Sequence, residues 1–90
     1  MVHLISYDLN GRESSQGYAD VKRLITENAI EYRHVLYSGW LVYTNNSPKD
    51  WHNALSKVVD QNDRFIVSQL HGSDWGSLDR EVHVWLVGKV

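Results

Sequence analysis

The stretch YRHVLYSGWLVYT, residues 32–44, decides how this chain is arranged. Tyr32 to Tyr37 and Trp40 to Thr44 are both dense in aromatic and β-branched residues, the types that suit a pleated, half-buried surface. Only Ser38-Gly39 separates them, the kind of two-residue break that joins antiparallel strands. The segment therefore reads as a hairpin, or as one long bent strand. A hairpin here gives two consecutive strands in mid-chain, and the elements on either side complete the order.

Upstream, Val2-His3-Leu4-Ile5-Ser6-Tyr7-Asp8 is short, rich in strand formers and followed by Asn10-Gly11, and reads as a first strand. From Gly17 the period changes: Tyr18, Val21, Leu24 and Ile25 fall on one helical stripe while Asp20, Lys22, Arg23 and Glu27 lie largely elsewhere. That predicts an amphipathic helix ending near Asn28. Downstream, Ser47-Pro48-Lys49-Asp50 supplies an N-cap, a proline at the first helical position and a carboxylate at the positive end of the helix dipole. Trp51, Ala54, Leu55, Val58 and Val59 then recur at helical spacing, Asp60-Gln61-Asn62-Asp63 stops the helix, and Arg64 to Leu70 reads as a fourth strand. The resulting order, βαββαβ, is that of a ferredoxin-like α+β sandwich, in which two right-handed crossovers put both helices on one face of an antiparallel sheet. Residues 1–90 make one such domain with a short C-terminal extension. In that extension Leu78, Val82, Trp85 and Leu86 fit a helix, whereas Val82, Val84 and Leu86 alternate like a strand; a short helix after the Gly72 to Gly76 loop is the expectation.

The strands are apolar on both sides. The first offers Val2, Leu4 and Ser6 on one face and His3, Ile5 and Tyr7 on the other; the third offers Trp40 and Val42 against Leu41 and Tyr43. A sheet with one face in water alternates more cleanly. The second face therefore needs a cover, and in so small a domain a second copy packed through a two-fold axis is the leading expectation, a homodimer through the sheet. The alternative is that the C-terminal segment with Trp75, Trp85 and Leu86 folds over it.

Nine Lys and Arg against eleven Asp and Glu give a formal charge of −2, which argues against a dedicated phosphate-backbone binder but leaves room for local basic patches. The absence of cysteine removes disulfides, thiolate metal sites and cysteine nucleophiles, and suits a reducing cytoplasm. No run approaches a membrane span and the first residues lack a leader pattern, so a cytoplasmic protein without a membrane partner is expected. His3, His34, His52, His71 and His83 show no metal-ligand spacing and read as strand or surface residues. Ser14-Ser15 lacks the strand-to-helix elbow of a nucleophile. The tryptophans are candidates for base stacking, although Trp40, Trp51 and Trp85 lie in apolar stripes that favour packing.

Three stretches carry a resemblance: Tyr7-Asp8-Leu9-Asn10, Ser38-Gly39-Trp40-Leu41-Val42, and Asp60-Gln61-Asn62-Asp63 followed by a Val-containing strand and a loop with Gly72, Trp75 and Gly76. Together they resemble the small bacterial SinR-family proteins. More distantly the chain is similar to the CRISPR-associated adaptation endonucleases, the second Cas protein, and to VapD-type ribonucleases. The resemblance implies a ferredoxin-like homodimer in which Asp8, at the end of the first strand, is the catalytic carboxylate and helps hold Mg2+ or Mn2+ for phosphodiester cleavage. A hard divalent cation takes carboxylate oxygens, keeps several waters and activates one of them. Where those relatives carry basic or hydroxyl residues near the hairpin, Tyr37 and Ser38 are the matches here. Arg12, Lys22 and Arg23 are the candidate contacts to a nucleic-acid backbone. An Asp before Leu9-Asn10-Gly11 is equally suited to accepting backbone N–H bonds and starting the loop. The functional expectations are thus a metal-dependent endonuclease or endoribonuclease, or a nucleic-acid-associated protein that has lost that activity. Against these stand a non-enzymatic interaction module with a protein partner, of the antitoxin, phage or mobile-element kind, and a small-molecule-binding regulatory subunit.

Overall fold

A computed structural model of the chain describes residues 1–10 and 14–90. Seven elements follow one another: β1 (Val2–Asp8), α1 (Ser14–Asn28), β2 (Glu31–Leu36), β3 (Gly39–Tyr43), α2 (Pro48–Leu55), β4 (Arg64–Gln69) and α3 (Arg80–Val87). The four strands form one sheet in the order β2-β3-β1-β4, and every neighbouring pair is antiparallel. It is an α+β fold of four strands and three helices. No helix among the described residues is long and apolar enough to cross a membrane.

The hairpin exists, with its turn one residue earlier than the sequence predicts: β2 ends at Leu36, Tyr37-Ser38 turn, and Gly39 already belongs to β3. Gly39 pairs with Ser6 on one side and Leu36 on the other. A Cβ there would stand 3.0 Å from that of Leu36, so the close approach favours glycine. A register shift between His34 and Leu36 marks a bulge that re-aims the end of β2.

The helix starts are set locally. Ser47 Oγ accepts from the Asp50 amide (3.1 Å) while Asp50 Oδ2 accepts from the Ser47 amide (3.2 Å), a complete capping box with Pro48 in the first turn. The end of α2 is corrected: Val58 and Val59, predicted as helical, lie beyond it. Ser56 Oγ donates to the His52 carbonyl at 2.8 Å, and the Lys57 and Val58 amides bond three residues back to Ala54 and Leu55. These tighter bonds close the helix early while both valines still pack on the core. The first helix likewise begins at Ser14, ahead of the predicted Gly17.

The alternation read from β1 and β3 holds. Ile5, Tyr7, Trp40 and Val42 join Val21 and Ile25 of α1 and Trp51 and Leu55 of α2 in one core cluster, while Val2 and Leu41 join Val82 and Trp85 of α3 in a second. The C-terminal segment is therefore a helix lying over the second face. The chain thus supplies part of the cover for the face on which a second copy was expected, while Leu36 and Ile66 stay exposed there. The Trp85 Nε1–H donates to Glu31 Oε1 (3.0 Å), the Arg33 guanidinium lies 4.9 Å from the Trp85 ring, and Lys89 pairs with Glu31 at 3.3 Å.

Candidate functional site

One corner of the first face is not filled by the helices. There α1 presents Ser15, Tyr18, Ala19 and Lys22, residues spaced i, i+3, i+4 and i+7 and hence on one stripe, toward Tyr7 of β1, His34 of β2, Tyr37 of the turn and Trp40 of β3. They enclose a recess of about 420 Å3, within the range of small-ligand sites.

Its floor is Tyr7 and Trp40, both nearly inaccessible to solvent. The Trp40 Nε1–H donates to Tyr7 Oη at 2.8 Å. Burial pushes the Tyr7 phenol above its ordinary value, the Trp40 bond pulls it back, and Tyr18 and Tyr37 add to the rise. Tyr7 is thus protonated at neutral pH, and its own hydrogen is directed to no acceptor among the described residues; a ligand in the recess meets a donor.

The walls are rings. Tyr18 lies 5.5 Å from Tyr7 and 5.8 Å from Tyr37, both tilted. His34 stacks on Trp40 with centroids 4.2 Å apart and planes 2° apart. The His34 Nε2 is 3.1 Å from the Tyr37 carbonyl, which can only accept, so Nε2 carries the proton and in the neutral ring Nδ1 keeps a lone pair. Tyr18 Oη and Ser38 Oγ are 3.4 Å apart. Tyr37 is 83% exposed and forms the lip. Lys22 is the one cation that lines the recess among the described residues, and it makes no ion pair there.

Of the residues singled out from sequence, Tyr7, Lys22, Tyr37 and Ser38 are brought together here. Arg23 is not: it lies off the α1 stripe and pairs with Asp20 at 3.9 Å. Arg12 lies outside the described residues. The backbone amide of Asn10 donates at 2.7 Å to Oδ1 of Asp63, whose other oxygen accepts from the Asp60 amide, so the end of β1 is stapled to the turn before β4, away from the recess lining. Asp8 sits exposed at the end of β1 opposite Arg64, and strand alternation turns it to the side of the sheet away from Tyr7. The loop that a turn-starting Asp8 would cap lies outside the described residues. Among the described residues no three His, Asp or Glu gather as a metal site. One carboxylate facing an arginine across the ladder does not by itself fit a divalent cation.

Sequence reasoning missed Tyr18 and His34, placing the first in a core stripe and the second on a strand. The available signal was the stripe Ser15, Tyr18, Ala19, Lys22, which carries polar ends at helical spacing.

Comparison of the chain with protein-family models, with curated proteins and with solved structures finds no match.

Proposed function

We propose that this protein binds nucleic acid by seating a base in the recess between α1 and the β2–β3 hairpin. The observation that carries the reading is the gathering of Tyr7, Tyr18, Tyr37, His34 and Trp40 around one opening with Lys22 at its edge. Every base has a π-face, so an aromatic-walled slot takes it by stacking; the ammonium reaches a phosphate and the Tyr7 hydroxyl donates to a ring acceptor. The ferredoxin-like reading of β1 to β4, with α3 as an extension, is supported by the order β2-β3-β1-β4 and by both crossover helices packing on one face. It agrees with the resemblance to the adaptation endonucleases and VapD-type ribonucleases, and the reading here is of binding.

The test is fluorescence anisotropy with labelled single-stranded RNA and DNA, comparing wild type with Tyr37→Ala. Stacking on an aromatic side chain is worth about 1–3 kcal/mol per base, so the variant binds from about fivefold to about a hundredfold more weakly. Tyr37 is exposed enough that the fold is unaffected, and the thermal midpoint serves as control. Unchanged affinity in Tyr37→Ala, or no binding by folded wild type, removes the reading.

A further inference from the structure

We infer that the recess accepts a single nucleotide, one ring and one phosphate, as a free 5′-mononucleotide or as the phosphorylated end of a strand. This rests on the base-binding reading and adds the size and charge of what is bound.

Three observations limit the ligand. The recess is shallow and open on one side: Tyr7 and Trp40 form its floor, α1 with Tyr18 one wall, His34 the other, and Tyr37 its lip. The flanking ring along β2, Tyr32, is tilted 57° to Trp40 and does not line the recess, so among the described residues it does not extend the stacking surface in one plane. Proteins that follow a strand instead combine a basic groove with successive stacking platforms.

The charge is the second limit. Lys22 is the one lining cation among the described residues, and the next basic side chain on α1, Arg23, is engaged with Asp20. The chain as a whole carries a formal charge of −2. A single ammonium suits contact with one phosphate group, and among the described residues a longer strand finds no further cation lining the recess.

The third is the polar floor. Tyr7 Oη accepts from Trp40 and its hydrogen meets no acceptor among the described residues, so it is available to a ring acceptor of the ligand and a ring with such an acceptor is preferred to bare hydrocarbon.

The experiment titrates the full chain, followed by tryptophan fluorescence, with a nucleoside, its 5′-mononucleotide, a linear 5′-phosphorylated dodecanucleotide and a circular single strand, each over a range of salt. The mononucleotide is expected to bind with an affinity that falls as salt is raised, because screening weakens its one phosphate contact. The nucleoside is expected to bind more weakly and without salt dependence. In Lys22→Gln, an exposed position, nucleotide and nucleoside become equal. A linear phosphorylated strand matching the mononucleotide while the circle fails identifies a strand end as the source. A mononucleotide that binds while both strands fail identifies the free nucleotide, removing the strand-binding reading and leaving the recess as a site for one base and one phosphate. A circular strand that binds as well as the linear one, or a log–log salt slope of about −2 or steeper, overturns the inference and leaves base binding standing. Failure of every ligand overturns both.

Discussion

The two faces of the sheet carry similar strand residues and end up differently covered. On the first, α1 and α2, fifteen and eight residues long, close over Ile5, Tyr7, Trp40 and Val42 and leave the aromatic corner open. On the second, α3 has eight residues, about 12 Å of helix, and buries Val2, Leu41, Val82 and Trp85. Beyond its reach the apolar strand residues stay in water: Ile66 is 63% and Leu36 54% exposed. What separates the faces is the length of helix available to each. The remaining apolar openings mark where that length runs out.

The largest effects should follow that division. Ile5 has no accessible surface and sits under two helices; Leu41 is 3% exposed under one short helix. Truncating a buried Ile or Leu to Ala costs about 2–5 kcal/mol, more where neighbours cannot collapse into the space. Ile5→Ala is expected near the top of that range and Leu41→Ala near the bottom, measured by urea denaturation. Equal losses would show that α3 is as rigid a cover as α1 and α2 together, and would end the distinction.

How much of this was legible in the sequence depends on whether the cause was local. The Ser47–Asp50 box, Pro48 and the alternation of β1 act over a few residues, and they appear as read. The early end of α2 was not legible, because Val58 and Val59 keep helical spacing and still reach the core from a turn. The cover of the second face was a choice between a second copy and the C-terminal segment, and what favours the segment is Trp85 finding Glu31 and Arg33, partners about fifty residues away in sequence. The recess is assembled from β1, α1 and the β2–β3 hairpin, so no motif announces it. Asp8 is instructive in the other direction. Alternation already set Ser6 opposite Tyr7, hence Asp8 opposite Tyr7 as well, and the separation of that carboxylate from the tyrosine cluster was readable before any coordinates.

A smaller effect probes the corner itself. Tyr7→Phe removes the acceptor of the Trp40 indole N–H and leaves that buried donor without a partner, a loss of about 1–3 kcal/mol. The Trp40→Phe, Tyr7→Phe double variant removes both polar groups, so its cost is expected to be less than the sum of the single ones, with the shortfall measuring the bond. Strict additivity in thermal or urea unfolding would mean that the two side chains do not act as a pair, and the floor of the recess would lose its fixed orientation.

The smallest effect distinguishes the second face by pH. The Trp85 N–H bond holds the Glu31 carboxyl below its ordinary value; partial desolvation opposes this, while Lys89 and then Arg33 reinforce it. A carboxyl depressed by folding contributes stability that is fully present above its unfolded pKa and is lost as pH falls through the folded one. Acid should therefore loosen the attachment of α3 to β2, since protonated Glu31 no longer attracts Lys89 and Arg33. Glu31→Gln keeps an acceptor for Trp85 and has no proton to gain, so its stability curve should be flatter than wild type on the acid side, with the two differing most at neutral pH. Tyr7 titrates far above this window, so the first face contributes nothing to the acid slope through that residue. Hydrogen exchange resolved by segment can make the comparison: acid should lower the protection factors of residues 80–87 ahead of those of α1. Simultaneous loosening of both would show that the two covers unfold as one cooperative unit, with α3 held by the whole core and not by its anchor on Glu31.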